Sequence, residues 1–539
     1  MRPAYAVAAG MSWTLPELLE RNIARQPDAA AFIDGERHVS YAEFDRLCTA
    51  AAAWLAEQGI TAGDRVAVWM VNRIEWLALL FAAARVGAAL VPVNTRYGPS
   101  EVEHILARSG ARLLLMEPRF RTIDFAGLLA GVAPAALPRL ERVILLGDAG
   151  APPTLLDRPT IVIQGFAAGA VAPASAAAPH APAVLFTTSG TTKGPKLVIH
   201  PQRTLALHSY RCAAALGLQE SGANLLAAMP FCGVFGLTAA LAALAGGVPI
   251  IVMDAFDAGK AAALLRRHAV THTFGSDEMF RRLMALVPGP NPFPAARAFG
   301  FAAFSPGAAE LAREAWRRRI PLHGLYGSSE VLALFAMQPA SLPVEERIEG
   351  GGKPVSHDAV VRIREVDADG LLPAGQSGEI EIRAPTNFAG YLDDAPATAA
   401  ALHADGFFRT GDIGRLREDG TFVFESRRGD AIRLGGFLVN PAEIEDVLKG
   451  IDGIADAQVV AAELDGRARA VAFVIPDPGS SVSEADVIAL SGGRMASFKV
   501  PARVWPVDCF PTTQSANGTK IQRAILRAMA AERLGRERR

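Results

Sequence analysis

The N-terminal third of the chain switches repeatedly between two hydrophobic periods. Ser40 with Glu43 three residues later has the pattern of a capping box, and Phe44, Leu47, Ala51, Trp54 and Leu55 then recur at helical spacing. They predict an amphipathic helix that ends near Gly59. Beyond it the pattern predicts a strand over Arg65 to Met70, a helix over Ile74 to Val86 and a strand over Ala88 to Val93. A helix over Ser100 to Ser109, opened by a Ser100/Glu103 box, and strands over Ala111 to Met116 and Val143 to Leu146 follow. Such alternation predicts a largely parallel sheet covered by helices. Gly165 to Pro182, rich in Ala, Gly and Pro, carries neither period and reads as a surface connection into a strand over Ala183 to Thr187.

Near the C-terminus, Asn440, Pro441 and Glu443 read as a helix start, with Asn as N-cap and Pro at the first helical position. Ser426 to Gly436, just before it, is dense in Arg and Gly, which suits an exposed joint between domains. The boundary is therefore placed at Arg428 to Asp430. The final segment, Arg523 to Arg539, reads as a basic helical tail with a solvated face.

One stretch raises the question of a membrane, because Ser221 to Met253 holds no charged residue and exceeds the roughly 20 residues a spanning helix needs. Pro230, Gly233, Gly236, Gly246, Gly247 and Pro249 divide it into a loop, a helix over Leu237 to Leu244 and a strand over Val248 to Val252. That punctuation predicts buried core and no transmembrane segment. With 539 residues the chain has room for several domains, or one large body with a smaller appendage. Lys+Arg 54 against Asp+Glu 55 leaves a net charge of -1, so the global basic field that gathers nucleic acid is missing. An apolar share of 50% and a charged share of 20% are globular values and exclude general disorder. Cys48, Cys212, Cys232 and Cys509 lie far apart, without metal-ligand spacing or a disulfide framework, which fits a reducing cytoplasm. The first residues lack the apolar run of a signal peptide and read as a disordered leader.

The candidate chemistry begins where the strand Ala183 to Thr187 ends. Thr187, Thr188, Ser189, Gly190, Thr191, Thr192, Lys193, Gly194, Pro195 and Lys196 gather hydroxyls, glycines and two lysines into one loop. Glycines let backbone N–H groups approach phosphate oxygens, hydroxyls donate hydrogen bonds or meet Mg²⁺, and ammonium groups neutralise charge. The spacing is not the G-x-x-x-x-G-K-[ST] loop of the common NTPases. Lysine usage sharpens the reading: only seven lysines stand among the 54 basic residues, Lys193, Lys196, Lys260, Lys353, Lys449, Lys499 and Lys520. A lysine kept in so arginine-rich a chain is a candidate for a role that needs a compact point charge. Three further polar clusters interrupt apolar sequence: Tyr326-Gly327-Ser328-Ser329-Glu330, Phe408-Arg409-Thr410-Gly411-Asp412 and Ser426-Arg427-Arg428-Gly429-Asp430. Glu330 is the kind of carboxylate that holds Mg²⁺, and Asp412 the kind that accepts both hydroxyl protons of a ribose diol.

In this order the clusters resemble the adenylate-forming superfamily of acyl-CoA synthetases, peptide-synthetase adenylation domains and beetle luciferases. The likeness runs from about residue 12 to residue 525, on TTSGTTKGPK at 187–196, YGSSE at 326–330, FRTGD at 408–412, SRRGDAIRLGGFLVNPAEIE at 426–445 and ANGTKIQR at 516–523. It implies an α/β fold with a large N-terminal domain of sheets flanked by helices over 12–428. A small mobile α+β domain over 429–525 and the basic tail at 526–539 complete the organisation. By resemblance, Thr187 to Lys196 hold the β- and γ-phosphates of ATP, and Glu330 with Thr188 serves Mg²⁺. Ser305, Gly307, Ala308, Tyr326 and Gly327 frame the purine, Ser329 touches the α-phosphate, and Asp412 with Arg427 binds the ribose. Lys520 matches the family's lysine that bridges the attacking carboxylate and the α-phosphate. Its role is electrostatic, because a lysine with its reference pKa of about 10.4 is charged at neutral pH.

The resemblance further implies that the small domain rotates about a hinge, here Gly429, so that Lys520 leaves and the thiol of coenzyme A enters along Gly435 and Gly436. The acyl pocket is expected among Phe231, Cys232, Gly233 and Phe235, around His272 and around Phe301, with His272 read foremost as a structural histidine. Two departures from the family pattern bear on detail: extra residues between Pro511 and Lys520, and Phe231-Cys232-Gly233 where an aromatic-His gate is frequent. The leading expectation is a cytoplasmic carboxylic acid:CoA ligase for a fatty, aromatic or alicyclic acid. Loading of an acyl or amino acid onto a carrier protein is the alternative, and a non-catalytic nucleotide-binding protein a third. Amino-acid activation wants a buried carboxylate for the substrate ammonium, and Met229 to Leu237 holds none; Asp254 and Asp257 lie beyond the next strand. Family habit adds a homodimer, which nothing in the sequence decides.

Overall fold

The computed structural model describes residues 13–147, 153–166, 171, 173–188, 195–302, 308–365, 370–427, 432–434, 437–439, 441–515 and 518–537. The capping box at Ser40 forms as the sequence predicts. Its hydroxyl accepts from Glu43 N–H at 3.2 Å, the Glu43 carboxylate accepts from Ser40 N–H at 2.8 Å, and the helix Tyr41–Glu57 follows. The helix Ile74–Val86 stops at Gly87, whose φ of 76° supplies the left-handed turn that ends it. The next helix departs from expectation: it spans Pro99–Ser109, and Glu101, not Glu103, reaches back to cap it, accepting from Gly98 N–H at 2.9 Å. Pro99 fits the first helical position, where no N–H is needed, and Glu103 instead accepts from Ala133 N–H at 2.7 Å.

Two large sheets result. The first has nine strands, and its centre is the parallel set Arg65–Trp69, Ala89–Pro92, Leu113–Met116, Arg142–Leu146 and Arg158–Ile163 joined by Pro182–Thr187. At one edge Leu197–Pro201 pairs antiparallel with Pro182–Thr187, and Gly390–Tyr391 pairs with it in turn. The second sheet has fourteen strands. Its parallel half ends at Leu322–Ser328, after which Leu332–Met337, Gly351–Pro354, Phe422–Arg427, Phe408–Leu416 and Gly378–Arg383 run antiparallel.

The uncharged stretch is core. Leu225–Ala227 and Ile250–Val252 are strands of the larger sheet. Between them the helix Val234–Gly246 buries every residue from Gly236 onward. It starts earlier than the sequence suggests, because Gly236, read there as a breaker, is needed for contact: a Cβ at this position would lie 2.2 Å from the Pro230 carbonyl oxygen. No described helix is long and apolar enough to cross a membrane.

The small C-terminal domain is built on a three-stranded sheet of Ile454–Leu464, Arg467–Pro476 and Arg503–Pro506. The helices Pro441–Lys449 and Arg523–Glu537 and the hairpin Thr512–Ser515/Gly518–Ile521 accompany it. The joint placed at Arg428 to Asp430 lies outside the described residues.

Candidate active site

Two hairpin ends meet where the sheets approach each other. The sequence-predicted phosphate loop connects Pro182–Thr187 to Leu197–Pro201, and its base is closed by Thr188 N–H donating to the Lys196 carbonyl at 2.9 Å and Lys196 N–H to Thr188 Oγ1 at 3.2 Å. Ser329 and Glu330 lie between Leu322–Ser328 and Leu332–Met337, at the point where parallel pairing gives way to antiparallel. Such a switch, beyond the carboxyl end of a parallel strand, is where α/β sheets leave room for a ligand. Ser329 Oγ donates to the Thr187 carbonyl at 3.3 Å, joining the two ends.

Tyr326 and Asp412 form the inner wall. Tyr326 Oη donates to Asp412 Oδ2 at 2.6 Å, and its ring packs edge-on against Phe422 at 5.1 Å. Asp412 is aimed inward by an irregularity in its strand: Gly411 takes a φ of 69°, the pairing with Gly378–Arg383 shifts, and Thr410 Oγ1 accepts from Asp412 N–H at 3.0 Å. Asp412 stands opposite Arg427 across the antiparallel pair. Leu332 and Leu334, at the other end of the Tyr326 hairpin, hold φ angles of 63° and 61°. Branched side chains rarely take this region, at about 1–3 kcal/mol each, and such residues cluster at functional sites.

A cavity of about 660 Å³ runs between these elements. Its lining includes a polar set, Thr187, Thr188, Lys196, Ser329, Glu330 and Asp412. It also includes an apolar set, Met229, Cys232, Val234, Phe235, Ala302 and Leu334. Burial pushes the Cys232 thiol up to about 11, so it stays neutral there. Gly233, Tyr326 and Gly327 also line the cavity. Three expected acyl-pocket residues do not. Phe231 packs into the core against Trp76, with centroids 6.0 Å apart; Phe301 is buried beneath Ala302; and His272 donates from Nε2 to the Leu216 carbonyl at 2.8 Å, a structural histidine. Phe301 and Ala302 are neighbours on one strand, so their side chains point to opposite faces. Ser189, Gly190, Thr191, Thr192, Lys193, Ser305, Gly307, Gly429, Gly435 and Gly436 lie outside the described residues. Ala308 opens the helix Ala308–Arg317, while Arg427 and Lys520 are located by their strands, Phe422–Arg427 and Gly518–Ile521.

The structure also brings in residues that the sequence did not single out. Tyr391 Oη donates to Glu330 Oε1 at 2.9 Å, and Lys196 Nζ sits 4.5 Å from the centroid of the same ring. His200 Nε2 donates to the Ser329 carbonyl at 2.7 Å; burial lowers this imidazole to about 4, so it is neutral and stays a donor on one nitrogen. Tyr97 Oη is 3.1 Å from Thr187 Oγ1, and burial pushes the phenol up to about 12. Among the described residues no three His, Cys, Asp or Glu side chains gather as a metal site. Glu330 with loop hydroxyls nearby nevertheless fits Mg²⁺ bound largely through water and phosphate oxygens, which needs only one or two protein carboxylates.

A family model described as AMP-binding enzyme matches residues 19–392, and one described as AMP-binding enzyme C-terminal domain matches residues 443–517. A (7a-methyl-1,5-dioxo-octahydro-1H-inden-4-yl)propanoyl:CoA ligase of Mycobacterium tuberculosis is 33% identical over 527 residues, covering 94% of this chain and 98% of the relative. Indoleacetate–CoA ligase of Aromatoleum aromaticum is 30% identical over 531 residues, covering 96% and 98%. Among solved structures, a double mutant of o-succinylbenzoate CoA synthetase from Bacillus subtilis, bound with its product analogue, superposes with a TM-score of 0.80. It has 23% identity and covers 95% of this chain and 98% of that one. The motifs, the fold and these matches agree: the chain belongs to the AMP-binding, adenylate-forming enzymes, among their AMP-forming acid–CoA ligases.

Proposed function

We propose that the enzyme joins a ring-bearing apolar carboxylic acid, alicyclic or aromatic, to coenzyme A through an acyl-adenylate, releasing pyrophosphate and then AMP. The observation that carries this is the split character of the cavity. Its lining combines charged residues in and beside the nucleotide motifs and in the small domain with an apolar set, Met229, Cys232, Val234, Phe235, Ala302 and Leu334, that offers no charge to pair with a substrate ammonium. The ring acids named for the relatives fit the same reading.

In the first step a carboxylate oxygen attacks the α-phosphorus and the bond to pyrophosphate breaks. This brings an anion toward a polyanion, so the chemistry rests on positioning and positive charge. Lys196 and the loop hydroxyls, with Lys193, receive the β- and γ-phosphates; Tyr326 and the segment around Ala308 frame the purine; Asp412 and Arg427 take the ribose. Glu330 and Thr188 are the residues to hold Mg²⁺, which supplies charge neutralisation on the phosphates. Lys520 bridges the carboxylate and the α-phosphate. In the second step the thiol sulfur attacks the acyl carbon and AMP leaves; Gly435 and Gly436 line the thiol's path and Gly429 is the hinge.

AMP and pyrophosphate release from Mg-ATP, measured across alicyclic, indole-type and benzoic acids, fatty acids and amino acids, with and without CoA, tests the reading. CoA-dependent AMP formation with ring acids is expected. Turnover confined to straight-chain fatty acids would refute the substrate class, and turnover with a carrier protein but not with CoA would refute the acceptor.

A further inference from the structure

Three ionisable side chains remote in sequence converge on the cavity wall. Lys499 Nζ lies 2.5 Å from Glu101 Oε1 and 2.8 Å from Glu443 Oε2. The three side chains are only 10%, 11% and 14% exposed, and Lys499 and Glu443 line the cavity itself. Glu101 belongs to the large domain, on the helix Pro99–Ser109, whereas Glu443 and Lys499 belong to the small one. Burial works against the ammonium, but the two carboxylates outweigh it and raise the Lys499 pKa. The lysine is therefore charged at any physiological pH. Beside this pair Ser100 Oγ donates to the Arg494 carbonyl at 3.0 Å, another contact across the domains.

The small domain's sheet has two packed faces, and they carry different chemistry. Val459, Ala472 and Val504 face Ile444, Met495 and Phe498. The next residue along each strand, Val460, Phe473 and Trp505, faces Phe510, Ile521 and Leu526. Since neighbours on a strand point to opposite faces, the helix bearing Glu443 and the segment bearing Lys499 lie on one face. The hairpin bearing Lys520 lies on the other. With the Lys499 face against the cavity, the strand of Lys520 is turned to the far side of the small domain.

We propose that the Glu101–Lys499 ion pair is an interdomain latch that positions the small domain for transfer of the acyl group to the thiol, the step that follows the work of Lys520. The inference rests on the ligase reading above and on Lys520 acting in adenylate formation. The helix of Glu101 and the turn that leads into it also touch both ends of the phosphate loop, the turn through Tyr97 to Thr187 and the helix through His104 Nε2 to the Pro195 carbonyl at 3.0 Å. Phosphate charge in that loop stands beside a cluster of two carboxylates and one ammonium, so the latch closes more readily once pyrophosphate has left.

The test separates the half-reactions. Glu101→Gln, Lys499→Met, the double variant and the reversed pair E101K/K499E are compared in acid-dependent ATP–pyrophosphate exchange and in single-turnover acyl transfer from supplied acyl-adenylate to CoA. Each single variant should slow transfer about tenfold or more and leave exchange within about twofold, which also shows that the variants fold. The double variant should be no slower than the worse single one, and the reversed pair should recover part of the loss. Equal loss of both half-reactions, or no effect of Glu101→Gln, would overturn the latch. Wild-type enzyme that supports exchange but transfers no acyl group to CoA would refute the ligase reading, and the latch with it.

Discussion

Tyr391 offers a clean way to ask whether Glu330 is a magnesium ligand. Its hydroxyl donates to Glu330 Oε1 at 2.9 Å while its ring carries the Lys196 ammonium at 4.5 Å. Tyr391→Phe removes the first contact and keeps the second, as well as the packing on Phe388 with centroids 4.9 Å apart. A hydrogen bond to a charged acceptor is worth about 1.5–3 kcal/mol net, and the partly open setting favours the lower figure. About 1.5 kcal/mol corresponds to roughly a tenfold change in equilibrium. Oε2 remains available to an ion while Tyr391 holds Oε1, since a carboxylate accepts on both oxygens. In ATP–pyrophosphate exchange, Tyr391→Phe should therefore raise the half-saturating Mg²⁺ concentration about tenfold and approach wild-type rate at high Mg²⁺. Tyr391→Leu also loses the cation–π contact, about 0.5–2 kcal/mol, and should show a further loss that Mg²⁺ does not repair. An unchanged Mg²⁺ requirement in Tyr391→Phe, or a deficit that excess Mg²⁺ leaves intact, would refute the role of Glu330.

Lys520→Ala should abolish ATP–pyrophosphate exchange while transfer from supplied acyl-adenylate to CoA persists, and equal loss of both would remove Lys520 from its assigned step. Asn72 holds part of the apolar lining of the cavity in place, its amide joining Phe231 N–H at 2.6 Å and the Met229 carbonyl at 2.8 Å. Asn72→Leu should cost about 2 kcal/mol in denaturant unfolding and raise KM for the acid but not for ATP; a matching rise for ATP would show general damage instead. His200, His208 and His323 are each lowered by burial to about 4. Their folded pKa lies below the unfolded value of about 6.5, so the unfolded chain takes up protons first and stability falls as pH drops from about 6.5 toward 4. The slope is on the order of 1 kcal/mol per pH unit for each histidine, and denaturant curves at pH 7, 6 and 5 that coincide would contradict it.

The legible parts of the fold were those fixed by nearby residues. Ile74–Val86 has the limits that its pattern predicts because a helical apolar run and a left-handed Gly87 are local facts. The antiparallel half of the larger sheet escaped notice for the opposite reason: Gly351–Pro354 pairs with Leu332–Met337 on one side, but its other partner, Phe422–Arg427, comes only after a long intervening sequence. The site divides in the same way. Tyr326, Glu330 and Asp412 stand in polar clusters visible against apolar sequence, whereas Tyr391 gains its meaning from Glu330, 61 positions away. Lys499 is the intermediate case. The scarcity of lysine picked it out, but its chief partner, Glu101, is 398 positions away, and only folding supplies the role. Phe231 and His272 were drawn toward the pocket by their neighbours in sequence. Packing sent their side chains into the core.

The uncharged stretch that invited a membrane reading does two tasks at once on the ligase reading proposed above, and this constrains how acid selectivity can change. Its helix is buried from Gly236 onward, so most of Val234–Gly246 is fixed by packing against the larger sheet and the helices Leu15–Arg25 and Gln202–Ala215. Gly236 cannot take a side chain without displacing the Pro230 carbonyl, and Phe231 is fully buried against Trp76. The freedom to reshape the acyl end falls to the cavity-facing side chains just before the buried turns, Cys232, Val234 and Phe235, together with Ala302 on the facing strand. Enlarging Ala302 or Cys232 shortens the space without touching the nucleotide end. Enlarging Gly236 strains a helix that packs on the larger sheet. On that reading selectivity is adjustable at a few cavity-facing positions around the start of a helix whose remainder is committed to the core of the large domain.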